Sequence, residues 1–407
     1  MKKLIHHAYY NTVYYRNLFD RWKIKPSDVN DENDLINIPI TIRKNIQSLP
    51  KEDILNKNED IAGCRIVRTS GSTGEPFSIY RGKYDRERRL PYIRMYASNR
   101  CRFNDKMLII TTQQNFSKSG YFRTKSSFFR RKREKYLSLE KGIDYLLDEM
   151  RSYKCDILIG YVSVIREITQ EIKRRNIKNI HPRVIFLTGE MLSKKDRGFI
   201  SSVFNGEVFD YYSCSECGII AWECREHNGY HVDADNVIVE LVKDDKSVCV
   251  GEEGKVIITC LNSYTMPFIR YELGDVCILS DKKCPCGIGF PVLKLIAGRS
   301  NDYIVLPDGR RISPYLMMAT MDKIKRVIKY RIVQETIDKI RIKIMVDSYF
   351  SQEEINAIRL DYEKIMGKDI SIEIDLCKEI EKNSVYKKHV IISCLNRSNI
   401  KESNNDN

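Results

Sequence analysis

The chain has 407 residues, 42% of them hydrophobic, with 69 Lys and Arg against 55 Asp and Glu, for a formal net charge of +14. That length allows two or more domains and an ample buried core, and the apolar content argues for a globular protein. No apolar run approaches membrane-spanning length, and Met1-Lys2-Lys3-Leu4-Ile5-His6-His7 runs into tyrosines and arginines rather than the apolar core of a signal peptide, so a cytoplasmic protein is expected. The 13 cysteines, an odd number without an export signal, fit reduced thiols and a metal site better than a disulfide framework.

In chain order, residues 1–60 read as helical and polar, broken at Pro26-Ser27-Asp28-Val29-Asn30 and at Leu49-Pro50. The apolar segment Ile61 to Val67 and the segment Phe77-Ser78-Ile79-Tyr80 read as two strands with a loop between them. Residues 86–98 predict a helix, and Lys106 to Thr112 a strand. A helix ends over Tyr145 to Met150, and Asp156 to Tyr161 reads as a buried strand. A long amphipathic helix near Val164 to Arg175 and a strand over Arg183 to Thr188 follow, the strand ending at Gly189-Glu190. Strands alternating with helices imply α/β layering. Val237 to Leu241 and Gly254 to Thr259 read as later strands.

After Gly298 the character changes. Tyr303 to Leu306, Pro307-Asp308-Gly309 and Arg310 to Ile312 form a hairpin pattern. A helix near Pro314 to Ile328, strands at Tyr330 to Gln334 and Ile340 to Val346, a helix over Ser351 to Met366 and a strand over Ile370 to Leu376 follow. That order suggests a small α+β C-terminal domain over residues 299–395, a larger α/β domain over 1–298, and a disordered polar tail over 396–407.

The loop Arg68-Thr69-Ser70-Gly71-Ser72-Thr73-Gly74-Glu75-Pro76 packs two glycines and four hydroxyls into the six positions from Thr69 to Gly74. Glycine lets successive N–H groups turn toward one point and cradle an anion, and the hydroxyls add short donors. No Gly-Lys-Ser/Thr ending follows, so it is not the common P-loop. On composition alone a flexible surface turn is the competing reading. Downstream lie Tyr212-Ser213-Cys214-Ser215-Glu216, then Tyr271-Glu272-Leu273-Gly274-Asp275, then Gly298-Arg299-Ser300-Asn301-Asp302. In this order and at these distances the chain resembles the acyl-adenylate-forming enzymes, and within them the phenylacetate–coenzyme A ligases and their relatives in capsular polysaccharide clusters. The resemblance spans most of the chain, including Tyr14-Tyr15-Arg16 and Leu35-Ile36-Asn37-Ile38-Pro39-Ile40.

The resemblance implies a large α/β domain with a small mobile C-terminal domain, and a two-step reaction. A carboxylate attacks the α-phosphate of ATP to give acyl-AMP and pyrophosphate, and a thiol then takes the acyl group. By resemblance, Thr69, Ser70, Gly71, Ser72, Thr73 and Gly74 hold the β- and γ-phosphates, with Glu75 where relatives often carry lysine. Glu216 is the magnesium ligand, with Ser215 beside it in the ATP site. Tyr212 stacks on adenine, with a core tyrosine as the alternative, and Ser213 replaces the usual glycine. Gly189 and Glu190 correspond to the adenine-side loop, Asp275 accepts from both ribose hydroxyls, and Arg299 adds a donor. Asn301-Asp302 falls at the hinge. The catalytic lysine of the family corresponds to Lys387, in a segment that lacks the usual glycine. Segments near Tyr161 and Cys217 to Ala221 correspond to the acyl pocket.

Cys224 and His231, with Cys284-Pro285-Cys286-Gly287 downstream, suit tetrahedral zinc, and the phenylacetate ligase branch looks similar here with a structural ion. His227 is a rival to His231, since Cys224-x-x-His227 also has ligand spacing, and unrelated reduced thiols are the competing view. The expected reagents are ATP, Mg2+, a small carboxylic acid and coenzyme A, with a carrier-protein thiol or a sugar amine or hydroxyl as the alternative acceptor. A homodimer is left open. The segment Lys118 to Lys135 mixes Arg123, Lys125, Arg130, Arg131, Lys132 and Arg133 with Tyr121, Phe122, Phe128 and Phe129. It suits single-stranded nucleic acid, a phosphorylated cosubstrate, a lipid headgroup or a solvated loop. No recognisable nucleic-acid module accompanies it, so nucleic acid is not expected. A catalytically weakened nucleotide-binding protein is the alternative from another class, motivated by the altered Lys387 segment.

Overall fold

A computed structural model describes the chain except residues 69–76, 86–89, 113–132, 300–301, 325, 381–389 and 396–407. The proposed phosphate loop, the start of the 86–98 helix, most of the basic aromatic segment, Asn301, Lys387 and the tail therefore lie outside the described residues. The described residues divide into two compact units. The first comprises Met1–Gly189, Ile200–Leu273 and Cys277–Leu295; the second comprises Glu190–Phe199, Gly274–Val276 and the chain from Ile296 onward.

Two strands, β1 (Arg65–Arg68) and β2 (Ser78–Arg81), form an antiparallel pair with Arg81 opposite Arg65. Ile61–Gly63, expected as part of an extended run, is instead a turn of 3₁₀-helix, because the Asp60 side chain accepts from the Ala62 N–H and caps it. Five parallel strands follow: β3 (Met107–Thr111), β4 (Glu134–Ser138), β5 (Ile157–Tyr161), β6 (Val184–Thr188) and β7 (Glu207–Cys214). Their inner members are near-continuous apolar runs, as burial on both faces requires. Ile157, Ile159, Val184, Phe186, Phe209 and Tyr211 share one core with Met95 and Tyr96 of helix Leu90–Ser98. The alternate residues Leu158, Ile185 and Leu187 are also buried, and helix Val162–Arg174 packs on β5 and β6.

Antiparallel strands extend the sheet: β8 (Gly218–Glu223), β9 (Tyr230–Val232), β10 (Val237–Lys243), β11 (Lys246–Ser247), β12 (Glu253–Cys260), β13 (Tyr271–Ser280) and β14 (Val292–Arg299). The resulting twelve-stranded order is β11-β10-β12-β13-β14-β9-β8-β7-β6-β5-β3-β4. Asp244 and Asp245 turn β10 into β11 with φ of 49° and 59°, the left-handed pair that a tight hairpin needs.

In the second unit, β15 (Ile304–Val305) pairs with β16 (Arg311–Ile312), and helix Pro314–Asp322 follows. The helix stops at Asp322, short of the expected Ile328. The Lys195 ammonium donates to the carbonyls of Ile324 (2.8 Å) and Val327 (2.6 Å), holding the exit as a turn. Then β17 (Val327–Thr336), β18 (Lys339–Val346), helix Gln352–Met366, β19 (Ser371–Leu376) and β20 (Ile391–Ser393) build a sheet of order β19-β18-β17-β20. Buried Gln334 exchanges hydrogen bonds with the Val305 backbone and accepts from the Ser393 hydroxyl, tying the hairpin to the sheet. No helix among the described residues is long and apolar enough to cross a membrane.

Candidate functional site

The parallel strands all run the same way, so the segments leaving β5, β6 and β7 gather at their carboxyl ends, where open α/β sheets bind ligands. Tyr161 ends β5, Gly189 follows β6 with φ of 81°, and Ser215 and Glu216 form the turn between β7 and β8. The Thr188 hydroxyl donates to the Tyr211 carbonyl at 2.9 Å and lies 3.2 Å from the Ser213 hydroxyl, joining the ends of β6 and β7. Tyr212 is buried opposite Ala221, at an irregularity in the β7–β8 pairing.

Glu216 is only 7% exposed, although it occupies a turn. Its Oε1 accepts from the Tyr271 hydroxyl at 3.4 Å. Burial raises its carboxyl above the ordinary value, and the positive charges of Arg81 and Arg43 oppose that rise. The Arg81 guanidinium, itself buried, donates to the Ser215 carbonyl at 2.7 Å and also to the Glu216 carbonyl. Sequence reasoning names Tyr271 only as the first residue of a motif, with no role of its own, and does not single out Arg81. A cation closing the otherwise apolar run Phe77 to Tyr80 was the available signal for Arg81.

In the second unit, Arg299 Nε lies 3.7 Å from Asp275 Oδ1, so these two expected nucleotide contacts are brought together. Glu190 belongs to the same unit, in the segment that begins where Gly189 ends. Thr69, Ser70, Gly71, Ser72, Thr73, Gly74 and Lys387 are outside the described residues.

A second cluster lies wholly in the first unit. The ligand atoms of Cys224, His231, Cys284 and Cys286 all fall within 4.8 Å of one another. Cys224 Sγ and Cys284 Sγ are 3.5 Å apart, and Cys286 Sγ lies 3.3 Å from His231 Nε2. Cys224 follows the last residue of β8, and the β8–β9 hairpin sets His231 opposite Trp222. Burial pushes the Cys224 thiol up to about 12 and lowers the His231 imidazole. His227 stands apart, its ring stacked on Phe209 at 5.0 Å.

The fold and its relatives agree on a class. The chain has the fold of the adenylate-forming acyl–coenzyme A ligases: it matches 2-hydroxyisobutyryl-CoA ligase in its post-adenylation state, bound to an acyl-adenylate, with a TM-score of 0.81 at 16% identity over 100% of this chain and 90% of that one. In sequence it is 23% identical over 342 residues to protein CapK of Staphylococcus aureus, covering 79% of this chain and 74% of that protein. It is 21% identical over 387 residues to the phenylacetate-coenzyme A ligase of Thermus thermophilus, covering 87% of this chain and 81% of that enzyme. The CapK C-terminal domain family matches residues 304–394. The resemblance expected from the four motifs is thus borne out by CapK and phenylacetate ligase homologues and by acyl-CoA ligase structures.

Proposed function

We propose that the protein is an ATP- and magnesium-dependent ligase that activates a small carboxylic acid as its acyl-adenylate and passes the acyl group to a thiol, that of coenzyme A. The observation that carries this reading is the buried carboxylate of Glu216, held at the carboxyl end of β7 in a chain whose fold matches an acyl-CoA ligase along its full length.

A substrate carboxylate oxygen bonds to the α-phosphorus of ATP as the bond to pyrophosphate breaks. The thiolate sulfur then bonds to the acyl carbon as AMP leaves. The first step brings two anions together, so the site must offset their repulsion. Backbone N–H groups from Thr69 to Gly74 receive the β- and γ-phosphates. Glu216 holds the magnesium ion, which neutralises phosphate charge when bound. Tyr212 packs against adenine, and Ser215, Gly189 and Glu190 border the nucleotide. Asp275 accepts from the ribose hydroxyls, Arg299 donates beside it, and Lys387 supplies an ammonium to the α-phosphate.

Cys224, His231, Cys284 and Cys286 hold a structural zinc ion in this reading. Tetrahedral zinc would set neighbouring sulfurs about 3.8 Å apart and a sulfur and nitrogen about 3.6 Å apart, near the 3.5 Å between Cys224 and Cys284 and the 3.3 Å between Cys286 and His231. Four protein donors complete such a shell, so no chemistry is assigned to it.

Homology to CapK and the form of Gly298 to Tyr303, which resembles capsule-cluster enzymes, support a biosynthetic role in surface polysaccharide. A sugar amine or hydroxyl, or a carrier-protein thiol, is then the alternative acceptor. ATP–pyrophosphate exchange measured over a panel of carboxylic acids tests the reading. Acid-dependent exchange is expected, and ATP binding with no exchange for any acid would favour a nucleotide-binding protein without ligase activity.

A further inference from the structure

Arg81 is the last residue of β2, the strand that leads away from residues 69–76, and it is 8% exposed. A buried guanidinium is costly unless its N–H groups find acceptors. It donates to the carbonyls of two successive residues, Ser215 at 2.7 Å and Glu216, and to the Ser263 hydroxyl at 3.5 Å. These contacts join positions separated by 134, 135 and 182 residues in the chain. Gripping consecutive carbonyls fixes the two peptide planes that meet at the Glu216 α-carbon. The direction in which that side chain leaves the turn is fixed with them. The rigid planar fork of arginine suits this task, whereas lysine offers one compact charge on a flexible stem.

We propose that Arg81 is a positioning residue for the adenylation site: by gripping the Ser215–Glu216 backbone it holds the Glu216 carboxylate in the direction needed to meet a phosphate-bound magnesium ion. This deepens the reading of Glu216 as the metal ligand and rests on it. Arg81 also lies in the strand that leaves the proposed phosphate loop. One side chain therefore ties that strand to the metal-binding turn.

The experiment compares purified wild type, Arg81→Lys, Arg81→Met and Glu216→Gln. Mn2+ binding in the presence of ATP is followed by electron paramagnetic resonance, alongside thermal melting. The Mg2+ half-saturation and the acid KM of ATP–pyrophosphate exchange are measured in parallel. Mn2+ is expected to bind Arg81→Met about 10-fold or more weakly, with Mg2+ half-saturation raised by a similar factor and acid KM unchanged. Arg81→Lys is expected to recover only part of that loss, and it decides the matter should Arg81→Met fail to fold. Wild-type Mn2+ binding and Mg2+ dependence in folded Arg81→Lys and Arg81→Met, with binding lost in Glu216→Gln, would overturn this inference alone. Unchanged Mn2+ binding in Glu216→Gln would overturn the metal-ligand reading and this inference with it.

Discussion

Glu216 faces two opposed demands. A carboxylate that is to bind a hard cation beside phosphates must be ionised, yet it is buried, which favours the neutral acid. The Arg81 and Arg43 charges counter the burial, and the Tyr271 hydroxyl supplies a hydrogen bond to Oε1. Glu216→Gln keeps the size and loses the charge. Exchange is expected to fall by about 100-fold or more while the melting temperature holds or rises, because the desolvation cost of burying a carboxylate is removed. Lys387→Ala is expected to slow exchange by about 100-fold with acid binding retained, read by separate kcat and KM measurements. Glu216 was legible in the sequence because its motif stood in register with three others. Arg81 was not, because its partners lie far along the chain and only the fold brings them to it.

At the scale of elements, the cysteine and histidine cluster depends on a short hairpin. Gly229 precedes β9 with φ of 94°, and a β-carbon there would come within 2.5 Å of the Leu293 carbonyl oxygen. Gly229→Ala is therefore expected to cost about 2–4 kcal/mol and to displace His231 from the thiols. Cys284→Ser removes one ligand outright. Metal analysis of the wild type should find about one zinc per chain. Both variants should contain less, and Cys284→Ser should melt about 5–10 °C lower. A wild type free of zinc would refute the assignment. Spacing alone could not choose between His227 and His231, since both suit Cys224. The β8–β9 register makes the choice, and a register is a property of pairing that no local window contains. The inner parallel strands were readable because burial on both faces writes an unbroken apolar run, as in Val184 to Leu187. Glu207–Cys214 interleaves Asp210 and tyrosines with its apolar residues, and escaped notice. Helix Pro314–Asp322 ends without glycine or proline, so no local residue marks its stop, and the contact that holds the exit comes from Lys195, far back in the chain.

At the scale of the whole molecule, the second unit is discontinuous in sequence: Glu190–Phe199 and Gly274–Val276 belong with the chain after Ile296. The family match over residues 304–394 therefore marks only part of what folds together. Lys195→Met removes the two hydrogen bonds to Ile324 and Val327. It is expected to destabilise that unit by about 1–3 kcal/mol, read as faster amide hydrogen exchange in helix Pro314–Asp322. The change should leave the zinc content untouched, since all four proposed ligands lie in the other unit.

The β10–β11 hairpin carries a consequence for behaviour at high concentration. A broad sheet invites another chain to dock along an open rim, and that is how β-rich proteins come to assemble without limit. Here one rim finishes in Lys246–Ser247, a strand of two exposed residues reached through a pair of aspartates. So short and charged a strand offers an incoming chain little to zip onto at that tip, where it pairs with Val242 and Lys243 alone, and leaves Val237 to Leu241 of β10 as the longer part of the rim.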